Sequence, residues 1–392
     1  MGLMSSFVSP GSFMEKVFVE KILGGEKLLR LFEESLIKFP EEQRKTLEEI
    51  IRENEGTRWG REHGFAEMSA DNWAQQPIVT YAEVEPYVGR MRRGDLHSLS
   101  AEPPFVFALT SGTTATPKFI PITPKSADSQ NYGSNVWNLN LRIKHGEDLG
   151  KILFLSGSER IKQTEILPIN SFTSLVRKKQ NKIVEKRMIF PTAAETVTDF
   201  THRLLIAAQS AYLNPPTALI SVNPLSILEM LDLAEKYGAE IKRAIEKNTY
   251  IGTDISYDSL NQGDALSRAE PNSILSTLNV ICTWTGGTQN IFIDNLRARG
   301  AHAPIRDLGF IAIEGRFTIP LEDNSPSGVL NPRGIYYEFL TTDKLSLVPL
   351  RDLRKGEEYN MIVTTQNGLY RYDMQDIIRV DGWHHSSPLI SF

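Results

Sequence analysis

Apolar residues recur along the chain with two different periods, and each period predicts one kind of element. Up to about residue 315, short apolar runs alternate with amphipathic stretches of helical spacing. The runs Lys151–Leu155, Thr217–Val222 and Leu278–Trp284 are short and apolar, which is typical of buried parallel strands. Alternation of such strands with helices predicts a layered α/β core.

Helical spacing is clearest in two long segments. Residues 12–38 carry apolar side chains every three or four positions, and the pattern is interrupted by Gly24 and Gly25. This interruption predicts a pair of helices that cover a core. Asn223 followed by proline is a helix-start signal, and it predicts one helix over Leu225–Ile245.

From Arg316 onward the pattern changes to short alternating runs separated by turn residues such as Asn367-Gly. The apolar runs are Ile335–Phe339, Tyr359–Thr364, Leu369–Tyr372 and Ile377–Val380. We therefore divide the chain in two. Residues 1–315 are predicted to form a layered α/β core with N-terminal helices, and residues 316–392 a β-rich, barrel-like subdomain of the same large domain.

One apolar run, Phe105–Leu109, leads into a loop of small hydroxyl residues. The candidate anion-binding residues of this loop are Ser111, Gly112, Thr113, Thr114, Thr116 and Lys118. Hydroxyls, backbone N–H groups around a glycine and an ammonium group together suit a polyphosphate. The spacing differs from Gly-x4-Gly-Lys-[Ser/Thr], which disfavours a P-loop switch or motor ATPase. An ordinary hydroxyl-rich surface turn is equally compatible with this loop taken alone.

Composition narrows the choice of function. The chain has 392 residues, 41% of them hydrophobic, and a net charge of −5, so it is predicted to be globular and to have no nucleic-acid partner. Cys282 is the only cysteine, which excludes an intrachain disulfide and a cysteine-based zinc site and favours a cytoplasmic location. No apolar run reaches the roughly 18 residues of a membrane span, so no membrane partner is expected.

Three segments, taken together, resemble the core motifs of adenylate-forming enzymes, the superfamily of firefly luciferase and acyl-CoA synthetases. Ser111-Gly-Thr-Thr-x-x-Pro-Lys118 followed by Ile-Pro-Ile-Thr resembles the first motif, Ile311–Gly315 the second and Gly368–Arg379 the third. The Ile-Pro-x-Thr tail is similar to that of the auxin-responsive family of acyl-acid amido synthetases. The chain is identified as a bacterial-type member of that family, which implies the N-terminal domain of an adenylate-forming enzyme.

The resemblance implies roles for single residues. Lys118 and Glu314 would be catalytic, Glu314 would also hold Mg²⁺, and Asp376 would accept hydrogen bonds from both ribose hydroxyls. The implied nucleotide-binding residues are Ser111, Gly112, Thr113, Thr114, Gly286, Gly287, Glu314, Asp376 and Arg379.

Without the family, the same acids have simpler interpretations. Glu314 follows an apolar strand, and burying it bare would cost several kcal/mol, so an arginine partner such as Arg316 or Arg306 is the alternative. Asp376 and Arg379 would then form an ion pair at the end of a strand.

Three residues depart from the family pattern. Gln375 stands where the family usually has glycine, Ala115 where the loop usually has a second glycine or a serine, and Ile313 where a hydroxyl residue usually precedes the glutamate. Each change leaves the neighbouring charged residue in place but removes backbone freedom or one hydrogen bond. We expect nucleotide binding to survive them at an altered rate.

The implied function is ATP-dependent activation of a carboxylic acid to an acyl-adenylate, followed by amide formation with an amine or amino acid. ATP and Mg²⁺ would be the cofactors. Two alternatives stay open: acyl transfer to coenzyme A, as in acyl-CoA ligases, and a nucleotide-binding core or subunit without catalysis. The family's C-terminal lid domain is expected to be absent from these 392 residues, so a separate lid polypeptide is a possible partner.

Overall fold

A computed structural model describes residues 13–109, 118–146, 150–155, 162–163, 167–170, 187–257, 262–267, 269–270 and 272–392. Its α-helices span Phe13–Ile37, Phe39–Asn54, Arg58–Glu62, Tyr81–Arg92, Pro124–His145, Phe200–Leu213, Pro224–Lys236, Gly238–Glu246, Gln262–Ser267, Ser273–Ser276 and Asn290–Ala298. Short 3-10 helices span Phe65–Glu67, Trp73–Gln75, Thr192–Thr196, Gly287–Gln289 and Leu350–Asp352.

The strands of the described residues form four sheets. In chain order they are β1 (Val106–Leu109), β2 (Phe119–Ile122), β3 (Ile152–Leu155), β4 (Lys162–Gln163), β5 (Pro168–Asn170), β6 (Ala218–Ser221), β7 (Val280–Cys282), β8 (Ile305–Arg306), β9 (Ile311–Ala312), β10 (Gly315–Arg316), β11 (Thr318–Ile319), β12 (Gly328–Leu330), β13 (Ile335–Thr341), β14 (Leu347–Val348), β15 (Glu358–Thr365), β16 (Tyr372–His384) and β17 (Ser387–Ser391). With the helices, they make a mixed α/β fold, as the sequence predicts.

The three predicted buried strands lie side by side in a parallel sheet of order β3-β6-β7-β8. Alternate residues of this sheet face two different cores, because successive side chains of a strand point to opposite faces. Ile152 and Val280 belong to the core that contains the N-terminal helices, whereas Leu153 and Ile281 belong to a second core formed with helices of residues 200–298.

The hydroxyl-rich loop connects two antiparallel strands of a second sheet, whose order is β2-β1-β5-β4. Leu109 at the end of β1 lies opposite Phe119 at the start of β2. Lys118, the last residue of the loop, therefore directly precedes a paired strand whose position is fixed by the β1 register.

The β-rich part of the chain is a seven-stranded sheet of order β11-β12-β17-β16-β15-β13-β14. All of its pairings are antiparallel, and among the described strands its two edges, β11 and β14, do not pair with each other. The N-terminal helices pack on this sheet: the Gln43 side-chain amide donates to the Ile335 carbonyl at 2.9 Å and accepts from the Tyr337 N–H at 3.0 Å. One core therefore includes residues from both ends of the chain.

Two helix predictions are wrong. Residues 13–37 form one helix instead of a pair, and it passes through the glycine pair without a break. A Cβ at Gly25 would lie 3.2 Å from the side chain of Leu139, so the glycine lets the helix approach its neighbour closely, which offsets its poor helix propensity of about 1 kcal/mol. The predicted helix over Leu225–Ile245 is two helices, which meet at Tyr237 and Gly238.

A buried ion pair fixes the start of β16 to β13. Two guanidinium nitrogens of Arg371 each lie 2.9 Å from a carboxylate oxygen of Glu338, and the side chains are 3% and 9% exposed. The third nitrogen donates to the Ala74 carbonyl at 2.7 Å. Arg371 thus joins the antiparallel sheet to the segment before the helix Tyr81–Arg92.

We expect Glu338→Gln to lower the free energy of unfolding by about 3–5 kcal/mol, because it leaves the buried Arg371 guanidinium without a counter-charge. Chemical denaturation at pH 7 measures the effect. Glu358→Gln is the matched control, since Glu358 lies exposed at the start of β15. Equal stability of the two variants would show that the ion pair does not hold the sheet in place.

Candidate functional site

The segment before the helix Tyr81–Arg92 pairs with the start of β16. The Val79 N–H donates to the Arg371 carbonyl at 3.1 Å, and the Asp373 N–H donates to the Val79 carbonyl at 2.8 Å. These two bonds form a short parallel bridge opposite Tyr372. The position of Tyr372 is therefore set by a segment almost 300 residues earlier in the chain.

Two residues further on, Tyr81 of the same segment binds the backbone at the end of the hydroxyl-rich loop. The Tyr81 hydroxyl accepts a hydrogen bond from the Phe119 N–H at 2.8 Å and donates one to the Phe119 carbonyl at 3.2 Å. The Arg92 guanidinium stacks 3.9 Å above the centre of the Phe119 ring. The backbone next to Lys118 is thereby held in place from two sides.

These contacts bring Lys118 beside β16. Its ammonium group lies 3.5 Å from the Tyr372 hydroxyl and 5.8 Å from the centre of the Tyr81 ring. Lys118 is half-buried there, beside two tyrosine side chains. The structure therefore places the predicted catalytic lysine where the loop meets the antiparallel sheet.

Glu314 lies in the two-residue turn of the β9–β10 hairpin and is 8% exposed. Burial raises the pKa of its carboxyl group; the nearby Lys118 lowers that pKa and Asp376 raises it. Among the described residues, neither of the two arginines considered as partners pairs with it. Arg306 pairs with Asp323 at 2.8 Å, and Arg316 donates to a carbonyl. For these two arginines, the alternative of an ion pair with Glu314 is therefore wrong.

Asp376 lies in a bulge of β16. Asp373 pairs with Ile362 and Ile377 with Asn360, so the three residues between Asp373 and Ile377 face a single residue of β15. Burial raises the pKa of the Asp376 carboxyl to about 6; Lys118 lowers it and Asp373 raises it. The structure thus brings Lys118, Glu314 and Asp376, which come from three separate segments, within electrostatic reach of one another.

The bulge depends on a left-handed residue. Gln375 has φ of 62°, a conformation in which a side chain is disfavoured by roughly 1–2 kcal/mol, and its N–H donates to Asp373 Oδ1 at 2.8 Å. Gln375 is the position where the family usually has glycine. The structure explains that preference, because glycine adopts this backbone without strain.

Gly286 and Gly287 form a turn that leads into the helix Asn290–Ala298. A Cβ at Gly286 would lie 2.2 Å from the backbone carbonyl oxygen of Phe392, and Gly287 has φ of 56°. Within the described part of the chain, no hydrogen bond joins either glycine to the Lys118 cluster. Their predicted contact with nucleotide stays a prediction.

Asp307 binds the segment between the end of β7 and these glycines. Its carboxylate accepts hydrogen bonds from the Thr285 N–H at 2.6 Å, the Thr285 hydroxyl at 2.7 Å and the Gly309 N–H at 2.6 Å. Burial is the largest influence on its pKa and raises it, whereas these hydrogen bonds lower it. Asp307 thus joins the turn after β7 to the turn after β8.

Arg379 lies apart from the acid with which the sequence links it. Its side chain is 60% exposed, and its nearest ion-pair partner is Asp381 at 3.9 Å. The simple ion pair with Asp376 is therefore wrong, and the nucleotide role of Arg379 stays a prediction. The loop residues Ser111, Gly112, Thr113 and Thr114 lie outside the described residues, so their roles stay predictions as well.

Sequence reasoning gave no role to three residues of this site: Tyr81, Tyr372 and Arg92. Tyr372 lies inside Gly368–Arg379, a segment that carries the family resemblance, and this was the available signal for it. Arg92 stands between Arg90 and Arg93 in the sequence, and its guanidinium stacks on Phe119. Only the fold reveals these contacts, because the partners are far apart in sequence.

Comparison with known proteins gives two consistent matches to one family. Residues 28–305 match the model of the GH3 family N-terminal domain, and residues 328–392 match that of the GH3 family central domain.

Within the described part of the chain, no helix is both long and apolar enough to cross a bilayer.

Two curated relatives come from plants. A jasmonoyl-L-amino acid synthetase from Nicotiana attenuata is 25% identical over an alignment of 400 positions, gaps included, that covers 89% of this chain and 68% of the relative. An indole-3-acetic acid-amido synthetase from Arabidopsis thaliana is 26% identical over an alignment of 424 positions that covers 93% of this chain and 76% of the relative. A bacterial-type assignment within the family stays a prediction.

Solved structures agree on the fold. The GH3.15 acyl acid amido synthetase superposes with a TM-score of 0.82 at 22% identity, over 94% of this chain and 70% of that one. A 2-hydroxyisobutyryl-CoA ligase superposes with a TM-score of 0.53 at 12% identity, over 89% of this chain and 72% of that one. The chain therefore has the fold of the N-terminal part of an adenylate-forming enzyme, as the sequence predicts.

We expect Gln375→Gly to be more stable than Gln375→Ala by about 1 kcal/mol, because only glycine removes the strain of the left-handed backbone. Thermal or chemical unfolding of the two variants measures the difference. At Glu358, an exposed strand position, the same pair of substitutions should give the reverse order, since glycine costs about 0.5–1 kcal/mol relative to alanine in a strand. The same order at both positions would contradict a strained bulge.

Proposed function

The chain belongs to the GH3 family, and from this we propose that it uses ATP to activate a carboxylic acid and then joins the acyl group to an amine. The named relatives are amido synthetases that act on jasmonoyl or indole-3-acetic acid groups. The observation that carries the proposal is the cluster of Lys118, Glu314 and Asp376 at the end of the hydroxyl-rich loop. One cation and two acids drawn together from distant segments suit a nucleotide better than they suit the core.

The reaction has two steps. A carboxylate oxygen of the acid attacks the α-phosphorus of ATP, the bond to the bridging oxygen breaks, and pyrophosphate leaves with both bonding electrons. The amine nitrogen then attacks the acyl carbonyl carbon, loses a proton, and expels AMP. Neither step needs a covalent bond to the protein, so this chain contributes positioning and charge neutralisation.

Lys118 is proposed to stabilise charge on the phosphates. The Tyr81 hydroxyl binds the backbone of Phe119, the residue after Lys118, and the Lys118 ammonium group contacts the Tyr372 hydroxyl. The ammonium group is therefore positioned before the nucleotide binds. A donor positioned in advance costs no reorganisation during the reaction. The hydroxyls and amides of Ser111–Thr114 are proposed to complete the phosphate site.

Glu314 fits the role of an Mg²⁺ ligand. It is a buried carboxylate on a tight hairpin turn, and in the described part of the chain it forms no ion pair with an arginine or lysine within 4.0 Å. Mg²⁺ prefers oxygen ligands and usually binds one or two carboxylates together with substrate phosphates. When bound, Mg²⁺ would neutralise phosphate charge, and this chain's part would be to hold Glu314 in position.

Asp376 is proposed to accept hydrogen bonds from the two ribose hydroxyls. Its carboxylate has two acceptor oxygens, and the bulge turns it out of the regular strand alternation toward Lys118. Gly286, Gly287 and Arg379 are proposed as further nucleotide contacts. Roles for them rest on the family resemblance alone.

The relatives' names favour an amine over coenzyme A as acceptor. The one coenzyme A ligase among the solved structures described above shares the fold at 12% identity, which carries no argument about the acceptor. A lid domain or separate lid polypeptide stays a prediction. A cytoplasmic location belongs to the same proposal. The single cysteine, Cys282, is buried and cannot form an intrachain disulfide, the bond for which an oxidising compartment would be needed.

We expect the chain to release pyrophosphate from ATP only when a carboxylic acid is present, and Lys118→Ala to lower this rate roughly 10²–10³-fold through loss of one positioned donor. A panel of aryl and aliphatic acids tests the first step. Hydroxylamine, amino acids and coenzyme A, each added as acceptor, then identify the second nucleophile.

Lys125→Ala is the matched control, since Lys125 pairs with Glu53 and Glu49 at the opposite end of β2. Normal turnover of a folded Lys118→Ala variant would refute the phosphate role of the lysine. ATP binding without acid-dependent pyrophosphate release would instead support the noncatalytic alternative.

For Asp376→Asn we expect weaker ATP binding together with unchanged or higher thermal stability. Each lost hydrogen bond to a charged acceptor is worth about 1.5–3 kcal/mol, so KM for ATP should rise roughly tenfold or more. At pH 7 the carboxyl, with a pKa of about 6, is charged in a partly buried site beside Asp373, and asparagine removes that cost. Nucleotide titration and thermal melting of the same sample measure both effects.

The pKa also fixes a pH dependence. The pKa of Asp376 is raised from 3.8 to about 6, so between these pH values the folded state binds more protons than the unfolded state. Its contribution to stability therefore falls as pH rises through this window. ATP affinity should fall as pH drops below about 6 in the unmodified protein and not in Asp376→Asn. Asp352→Asn, which alters an exposed carboxylate, is the control.

A further inference from the structure

We propose that Glu33, His384 and His385 form a binding site for a divalent transition-metal ion, of which Zn²⁺ is the type. The Nε2 atoms of both histidines lie 3.1 Å from the same carboxylate oxygen, Oε2 of Glu33. The three potential ligand atoms lie within 4.8 Å of one another. The proposal concerns neither ATP nor the acid substrate.

The backbone turns two adjacent side chains toward one point. Neighbouring residues of a regular strand point to opposite faces, so consecutive histidines at a strand end would normally diverge. His385 instead has φ of 53° in the turn between β16 and β17, and the two imidazole rings lie 4.6 Å apart at 67°. A residue other than glycine in this conformation is disfavoured, and such strain recurs at functional sites.

The third ligand comes from a different element that is fixed to the same turn. Glu33 lies in the helix Phe13–Ile37, and the Ser386 N–H donates to the Leu36 carbonyl at 3.1 Å. This backbone bond holds the hairpin tip on the last turn of the helix. The carboxylate and the imidazoles therefore meet through fixed backbones, which reduces the entropy that a metal would have to remove.

The donor set selects a class of ion. Imidazole nitrogen suits Zn²⁺, Ni²⁺ and Cu²⁺, whereas Mg²⁺ and Ca²⁺ prefer oxygen ligands. Ligand atoms about 2.0–2.2 Å from Zn²⁺ at tetrahedral angles are about 3.4 Å apart, and the observed 3.1 Å is close to this.

The exposure of the three side chains predicts an open site. The side chain of His384 is 35% exposed, that of Glu33 is 43% exposed and that of His385 is 44% exposed. Three protein ligands leave further coordination positions for water. We therefore expect weaker binding than in closed structural zinc sites, in which four protein ligands surround the ion.

The site is distant from the nucleotide cluster. His384 lies eight residues beyond Asp376 in β16, which corresponds to about 26 Å along an extended strand. A metal there would join the N-terminal helix to the last hairpin and would act on stability. Binding at this site can therefore be measured without any assay of amide synthesis, and it stands or fails independently of the proposed function.

Calorimetric titration of tag-free, chelator-treated protein with Zn²⁺, in the presence of excess Mg²⁺, tests the site. We expect one ion per chain, and at least tenfold weaker binding in His384→Ala, His385→Ala and Glu33→Gln. His302→Ala is the matched control, because His302 is exposed and outside the cluster, and it should bind as the unmodified chain does.

A second readout is thermal melting, since an ion that binds only the folded chain raises the melting temperature. Zn²⁺ should raise it in the unmodified chain and in His302→Ala, and not in the three site variants. Absence of binding, equal binding in all variants, or competition by millimolar Mg²⁺ would overturn the proposal.

Discussion

Backbone pairing between Val79 and β16 is the constraint on which the geometry of the site depends. The hydroxyl-rich loop and the strand that carries Asp376 are separated by some 250 residues, and among the described strands they belong to different sheets. The short segment from Val79 to Tyr81 contacts both, through two backbone hydrogen bonds on one side and the tyrosine hydroxyl on the other. Because this segment contacts β16 on one side and the end of the loop on the other, it brings Lys118 and Tyr372 together.

Among the described residues of the site, two acids whose pKa values are raised by burial lie near one lysine. Asp376 further raises the pKa of Glu314, and Asp373 that of Asp376, whereas Lys118 lowers the pKa of both. These shifts agree with the tendency of shifted pKa values to cluster at functional sites.

Much of this could be predicted from the sequence. The parallel strands followed from apolar runs, and Lys118, Glu314 and Asp376 followed from motifs of the family. Periodicity failed at the helix through Gly25, since glycine there serves close packing with Leu139, a contact that the sequence does not show. The roles of Tyr81 and Arg92 were missed for the same reason, and Gln375 appeared as a departure until its backbone conformation explained why glycine is usual at that position.

The contact of Gln43 with β13 has a consequence for synthesis of the protein. Its side-chain amide bonds to Ile335 and Tyr337, so the core around the N-terminal helices is incomplete until residues almost 300 positions later leave the ribosome. At about 5–20 residues per second, this delay is roughly 15–60 s. During that time the apolar face of the helix Phe39–Asn54, with Leu47 and Ile50, stays without its partner sheet. The growing chain therefore depends on chaperones or on transient contacts for longer than a protein whose neighbours in space are also neighbours in sequence.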